Sequence, residues 1–215
     1  MLIAILYFYY AVLLSLCYIS VRAYKRMQAS LKFVCILGVL TFVNEMVSAV
    51  LGYYSISKAY GYHFYNIVEL ALIAYAFVFY TNKKPGKGLL ISISFGSIML
   101  GGINMAFLQP INKVNTNMLM VECVLSIGMA LAALFHLLKN DTTFNIYRSP
   151  NFIFWSAILL LMTGTFFFWA CFEFLIQSNS KYKLPLIVIQ VIINIVAYIS
   201  IAVALLIKQE KTQNE

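Results

Sequence analysis

The chain has 215 residues, of which 63% are hydrophobic, 16% aromatic and only 10% charged, and its mean hydropathy is +0.88. Soluble globular proteins carry about 25% charged residues, so this composition excludes a soluble domain and predicts a chain surrounded mostly by lipid. A membrane-spanning helix takes about 20 residues, so the length allows at most seven or eight spans with short connections and leaves nothing for a soluble catalytic domain. We therefore expect an all-α fold in which residues 1–215 form a single seven-helix transmembrane domain.

The spans are predicted from long apolar stretches that carry no Lys or Arg in their interior. In chain order they cover about residues 1–21, 31–52, 63–80, 89–107, 118–138, 152–176 and 185–207. Continuous apolar runs favour helices over the strands of a membrane barrel, because barrel strands alternate at every second residue. The four prolines, Pro85, Pro110, Pro150 and Pro185, fall in connections or in a first helical turn, where a missing N–H does no harm. We expect no span to be kinked by proline.

The distribution of basic residues predicts how the chain is oriented. If the N-terminus lies outside, the cytoplasmic segments hold 11 Lys and Arg residues and the outer segments hold 4. The cytoplasmic set is Arg22, Lys25, Arg26, Lys32, Lys83, Lys84, Lys87, Lys139, Arg148, Lys208 and Lys211, and the outer set is Lys58, Lys113, Lys181 and Lys183. This bias predicts an outside N-terminus and a cytoplasmic C-terminus. The net charge of +8 is then explained by side chains that face anionic lipid, so we expect no nucleic-acid partner.

Four of the seven acidic residues, Glu45, Glu69, Glu122 and Glu173, lie inside predicted spans. A charged side chain at the centre of a membrane helix costs roughly 2.5 to 3.5 kcal/mol and usually faces the bundle interior or a water-filled cavity. At 1.5 Å per residue, all four fall about 5 to 10 Å from the outer ends of their spans. The inner halves of the spans contain no acidic residue. Acidic groups are thus expected only toward the outside.

Other polar side chains share this outer half, and on span seven Gln190, Asn194 and Tyr198 recur every four residues, which places them on one helix face. We predict a polar cavity open to the outside, and its candidate ligand-binding residues are Glu45, Glu69, Asn66, Asn44, Glu122, Gln190, Asn194, His63 and Tyr65. The alternative is that these groups only form hydrogen bonds between helices. In that interpretation Glu122 and Glu173 are close enough to the surface to reach interfacial water.

The sequence gives little support to catalytic or cofactor chemistry. His63 and His136 lie toward opposite sides of the membrane, so they cannot share a metal ion or a haem. No serine has an evident histidine and acid partner, and no Lys lies in the interior of span seven or any other span to form a Schiff base with retinal. We expect no cofactor and no resident metal ion. A site built from the oxygen atoms of Glu45, Glu69 and Glu122 is the metal alternative that stays open.

Several short segments resemble a known group of proteins. They are Asn44-Glu45, residues 65–70 (YNIVEL), residues 149–155 (SPNFIFW) and Thr163-Gly164. Together they resemble a group of small seven-span proteins of the bacterial inner membrane. The resemblance covers nearly the whole chain and implies the architecture and a location in the bacterial inner membrane, but it implies no reaction.

Three functions are compatible with these features. The leading hypothesis is a receptor-like or partner-binding module whose outer cavity accepts a small polar or cationic ligand and which signals through a separate partner protein or a second copy of the chain. The second is a proton- or cation-coupled transporter of small solutes, which needs polar groups continuing to the cytoplasm. The third is an intramembrane enzyme that uses carboxyl groups to act on lipid. The surrounding bilayer is the one partner that all three require.

Overall fold

The computed structural model describes residues 2–57, 59–82, 85–140, 149–177 and 183–207, with the side chains of all of these except residues 2, 140 and 173–177. The described residues form seven α-helices and no β-strand, and all seven helices are long and apolar enough to cross a membrane. They are α1 (Leu2–Ala23), α2 (Ala29–Tyr53), α3 (Ala59–Thr81), α4 (Lys87–Ile103), α5 (Thr116–Asn140), α6 (Pro150–Gln177) and α7 (Lys183–Leu206). The predicted all-helical chain with seven spans is confirmed.

The helix bounds differ from the predicted spans by a few residues. The largest difference that affects the site is at α3, which begins at Ala59 instead of near residue 63 because the preceding connection is short. In that connection Ser55, two residues after the end of α2, is in the left-handed region (φ 58°). A π-helical turn, Asn104–Leu108, extends α4. Pro150 is the first residue of α6, as the sequence predicts.

Six of the helices form a closed ring. Each of the pairs α1–α2, α2–α3, α3–α5, α5–α6 and α6–α7 packs together, and α7 packs back on α1. Helix α4 lies outside this ring and packs mainly against α3. The two helices approach closely at Gly101, because a Cβ atom at this position would lie 2.2 Å from Cδ1 of Ile67. Among the described residues, helix α4 is therefore the one spanning-type helix that does not line the interior of the ring.

The interior of the ring has two different halves. We call the end that holds the start of α1, the α2–α3 and α4–α5 connections and the start of α7 the polar end. Fully buried apolar side chains fill the half toward the opposite end, among them Leu31, Ile73, Phe154, Trp155 and Leu205. At that end Arg26 Nη2 donates a hydrogen bond of 3.1 Å to the Leu205 carbonyl oxygen, which joins the end of α1 to the end of α7. The other half of the interior is only partly filled.

Candidate functional site

A cavity of about 360 Å³ occupies the ring toward the polar end. It extends from Ala59 and Asn115, near the polar end, to Thr41 and Tyr198 deeper in the bundle. Tyr198 is the sixteenth residue of α7, so at 1.5 Å per residue it lies about 22 Å along that helix. The polar and aromatic residues of the wall are Thr41, Glu45, Tyr62, Tyr65, Asn66, Glu69, Asn115, Thr165, Phe168, Trp169, Gln190, Asn194 and Tyr198. A volume of this size suits a small organic molecule.

Two carboxyl groups face this cavity, one from α2 and one from α3. Tyr62 donates a hydrogen bond of 3.0 Å to Oε1 of Glu45, which holds that carboxyl group against the wall. Glu69 is only 9% exposed. Since α3 begins at Ala59, Glu69 lies about 15 Å along the helix, deeper than the sequence predicts. Among the described residues that line the cavity there is no Lys, Arg or His, so the charged groups of the wall are acidic.

Aromatic rings form much of the remaining wall. Phe168 and Trp169 of α6 have ring centroids 5.3 Å apart, and both line the cavity. Tyr65 lies across from them on α3, and its hydroxyl group is 2.6 Å from Oγ1 of Thr41. Thr41 donates its own proton to the Leu37 carbonyl oxygen at 2.9 Å, so Tyr65 is the donor of the 2.6 Å bond. These rings keep fixed orientations toward the cavity.

The predicted polar face of α7 lies in the cavity wall. Gln190, Asn194 and Tyr198 all line the cavity. The amide Nε2 of Gln190 donates hydrogen bonds to Oδ1 of Asn194 at 2.9 Å and to Oγ1 of Thr165 at 3.0 Å. The other amide atom, Oε1 of Gln190, is buried and has no hydrogen-bond partner among the residues that the structure describes.

Glu122 does not line the cavity, and its predicted access to interfacial water is wrong. Its side chain is fully buried because α5 is packed between α3 and α6. The Glu122 carboxyl group instead lies beside that of Glu69 and interacts with it directly. Neither oxygen atom of Glu122 has a hydrogen bond of ordinary geometry. The side chain of Glu173 lies outside the described residues.

Asn44 and His63 are also buried but lie behind the cavity wall. Nε2 of His63 donates a hydrogen bond of 3.1 Å to the carbonyl oxygen of Lys113, so this histidine holds the α4–α5 connection in place. Asn44 packs behind Gly61, where an added Cβ atom would lie 3.2 Å from its Oδ1. The other six predicted residues, Glu45, Glu69, Asn66, Gln190, Asn194 and Tyr65, do meet at the cavity.

The α4–α5 connection covers part of the polar end. Asn104, in the π-helical turn, donates a hydrogen bond of 2.6 Å from Nδ2 to Oδ1 of Asn115. Ser57 donates a bond of 3.2 Å to the carbonyl oxygen of Asn112. Val114 and Asn115 of this connection line the cavity. The segment is therefore tied to the end of α4 and to the α2–α3 connection, and it forms part of the rim.

Sequence reasoning missed Phe168 and Trp169. They belong to the run Phe166-Phe167-Phe168-Trp169, in which nothing in the residue types tells which ring faces inward. The signal that could have found them is Thr165, four residues before Trp169 and thus on the same helix face. Thr165 is the only hydroxyl group in residues 164–177 of this helix.

The floor of the cavity is closed. Beneath Thr41 and Tyr198 there is a void of only about 10 Å³, whose other walls include Leu16 and Ile201. Such a space holds one water molecule at most. His136 lies in the half toward the opposite end, where its ring centroid is 5.7 Å from that of Tyr80. Within the described part of the chain, no three His, Cys, Asp or Glu side chains are grouped so that they could hold a metal ion.

Comparison of the chain with protein-family models, curated proteins and solved structures found no match. The chemistry of the site is therefore derived from its geometry. Carboxyl groups attract a positive charge, and aromatic faces attract it through the negative potential of the ring. The amide and hydroxyl groups of the wall add hydrogen-bonding partners. This combination is suited to binding an organic cation.

Proposed function

We propose that the protein is a receptor-like membrane module that binds a small organic cation in this cavity. The observation that carries the proposal is that Glu45 and Glu69 share one cavity with five aromatic rings. As part of this proposal, the polar end faces outward, as the distribution of Lys and Arg predicts, and the membrane is a bacterial inner membrane. The ligand binds in this outer half of the bundle, and a partner protein or a second copy of the chain carries the signal onward.

The binding energy follows from the surroundings of the two carboxyl groups. A cation about 5 Å from a carboxylate gains roughly 3 kcal/mol at the effective dielectric constant of about 20 that applies near protein groups. Each aromatic face adds about 0.5 to 2 kcal/mol. Part of this gain offsets the loss of hydration of the cation. A cation with organic substituents loses less hydration than a metal ion, so the aromatic wall favours an organic ammonium group.

A receptor-like role is favoured over transport because the interior is closed below the cavity. The half toward the opposite end is filled by apolar side chains such as Leu31 and Ile73, which offer no polar route. One observation keeps cation-coupled transport as the second candidate. The buried carboxyl groups of Glu69 and Glu122 lie side by side, and ionisable groups inside a membrane commonly serve proton or ion movement.

Binding can be measured with the two tryptophans of the chain. Trp169 lines the cavity, whereas Trp155 is buried in the apolar half. We expect choline, added to the purified protein in lipid nanodiscs, to change the tryptophan fluorescence with a saturable dependence on concentration. The change should persist in Trp155→Phe and disappear in Trp169→Phe. The neutral isostere 3,3-dimethylbutan-1-ol should give no saturable change at the same concentrations.

The carboxyl groups provide the decisive variants. Glu69→Gln should weaken choline binding by about 10- to 100-fold, because it removes one of the two attractive charges. Glu122→Gln is the comparison variant: it removes the same kind of group from a residue that lies beside Glu69 but does not line the cavity, so it can act on the ligand only through Glu69 and its effect should be clearly smaller. An unchanged affinity in Glu69→Gln would overturn the proposal. Choline flux into proteoliposomes that depends on Glu69 would favour transport instead.

A further inference from the structure

An apolar groove runs along the outer surface of the bundle between α6 and α7. We call it the α6–α7 groove; it has a volume of about 300 Å³, and its walls include Leu160, Phe167, Cys171, Leu186 and Ile189. Phe167 is 61% exposed and Ile189 54% exposed, so the groove opens away from the ring interior. Both helices are of membrane-spanning type, which means that the groove faces the hydrocarbon chains of the bilayer.

The groove and the cavity are neighbours that share part of their lining. Phe168 and Gln190 line both of them. Within the groove α6 and α7 approach closely at Gly164, where a Cβ atom would lie 2.7 Å from Cγ2 of Ile193. From Leu160 to Cys171 the groove extends about 16 Å along α6. It therefore lies beside the cavity at the same depth in the membrane.

We propose that the ligand is an amphiphile whose ammonium head occupies the cavity and whose single alkyl chain lies in the α6–α7 groove. This inference rests on the proposed function and specifies the class of ligand. The chain passes between the cavity and the groove at Phe168 and Gln190. The ligand reaches its site sideways from the bilayer, where its alkyl chain already resides.

Three features favour one amphiphile with an ammonium head and an alkyl chain over two separate ligands, one in the cavity and one in the groove. The cavity supplies acidic and aromatic groups for the head, while the groove is lined almost entirely by apolar side chains. The unpaired Oε1 of Gln190 lies in the wall between the two, where it can accept a hydrogen bond from an N–H or O–H group of the head. The acidic cavity also discriminates against lipids with a net negative head.

The test compares choline with its analogue in which an octyl group replaces one methyl group. Octyl sulfate, which has the same chain and a negative head, is the third probe. In nanodiscs we expect the octyl analogue to change Trp169 fluorescence at a concentration at least tenfold lower than choline. It should also slow the labelling of Cys171, an exposed cysteine of the groove, by N-ethylmaleimide. Choline and octyl sulfate should leave the labelling rate unchanged.

A pair of variants separates the groove from general partitioning into the bilayer. Ile189→Phe narrows the groove, whereas Ile192→Phe places the same ring on an exposed residue of α7 that does not line it. Ile189→Phe should reduce the ratio of the affinity for the octyl analogue to the affinity for choline at least fivefold, and Ile192→Phe should leave this ratio unchanged. Choline affinity should be unchanged in both variants.

The outcomes distinguish the two proposals. If choline binds in a Glu69-dependent way but the octyl group gives no advantage, or Ile189→Phe and Ile192→Phe behave alike, the chain does not use the groove and only this inference fails. If octyl sulfate slows Cys171 labelling as much as the octyl analogue does, the groove takes any alkyl chain and the inference also fails. If neither cation changes the fluorescence, both this inference and the proposed function are overturned.

Discussion

The contact between α4 and the ring gives a prediction whose size can be worked out from the structure. Gly101→Ala places a Cβ atom 2.2 Å from Cδ1 and 2.3 Å from Cγ1 of Ile67. Carbon atoms in van der Waals contact are about 3.5 to 4.0 Å apart, so Ile67 or the whole helix must move by more than 1 Å. The neighbouring Gly102→Ala is a close control, since a Cβ atom at Gly102 has nothing within 4 Å.

The two variants share the gain of roughly 0.8 to 1 kcal/mol that alanine has over glycine in a helix. Only Gly101→Ala pays the cost of overpacking, typically about 1 to 3 kcal/mol. We therefore expect Gly101→Ala to have a free energy of unfolding about 1 to 3 kcal/mol lower than that of Gly102→Ala. Ile67→Ala removes both atoms that clash, so in an Ile67→Ala background Gly101→Ala and Gly102→Ala should differ in stability much less than they do beside Ile67.

Unfolding of the purified variants by sodium dodecyl sulfate in mixed micelles, followed by circular dichroism, measures these differences. Choline binding should be unaffected in Gly101→Ala, because α4 contributes no residue to the cavity wall. Equal stability of Gly101→Ala and Gly102→Ala would refute the close approach of α4 to α3. A difference between Gly101→Ala and Gly102→Ala that persists in the Ile67→Ala background would show that Ile67 is not the group displaced.

Two further predictions concern the cavity wall and its rim. Tyr62→Phe should weaken choline binding about fivefold, the equivalent of one hydrogen bond of about 1 kcal/mol, because the variant releases Glu45 from the Tyr62 hydroxyl group. The control Tyr75→Phe changes a residue that faces α4 and not the cavity, so it should bind choline as the unchanged protein does. Equal choline affinities of Tyr62→Phe and Tyr75→Phe would contradict the role given to Tyr62. Asn104→Ala leaves the buried Oδ1 of Asn115 without its donor, which should lower the stability of this segment by about 1 to 3 kcal/mol. Hydrogen exchange of residues 109–115, measured by mass spectrometry, should therefore become faster. An unchanged exchange rate would contradict the role of this hydrogen bond in holding the segment.

The architecture could be predicted because its physical signals are strong and local. Seven apolar runs, each long enough to cross a bilayer and separated by short polar connections, leave few alternatives to seven helices. The polar face of α7 could be predicted equally well, since Gln190, Asn194 and Tyr198 follow the helical period and have polar groups. Such features depend on one helix at a time.

Features that depend on two helices at once were harder to predict. The depth of Glu122 follows from its helix, but its burial beside Glu69 depends on α3 and α5 being neighbours in the ring, which no periodicity reveals. Phe168 and Trp169 were missed because the rotation of α6 about its own axis decides which aromatic side chains face the cavity. Phe168 and Trp169 line the cavity, whereas the neighbouring Phe167 is exposed. The same limit applies to Asn44, whose position behind the wall is set by packing against Gly61.

Closure of the ring by the contact between its first and last helices has a consequence for how the protein is made. Ribosomes synthesise α7 after the other six helices, so the site cannot be complete before α7 has been inserted. Until then the carboxyl groups on α2, α3 and α5 lack the polar side chains of Gln190 and Asn194, which belong to α7. Assembly must therefore protect these unfinished acidic helices from lipid, and chains that stop short of α7 are expected to become substrates for membrane quality control.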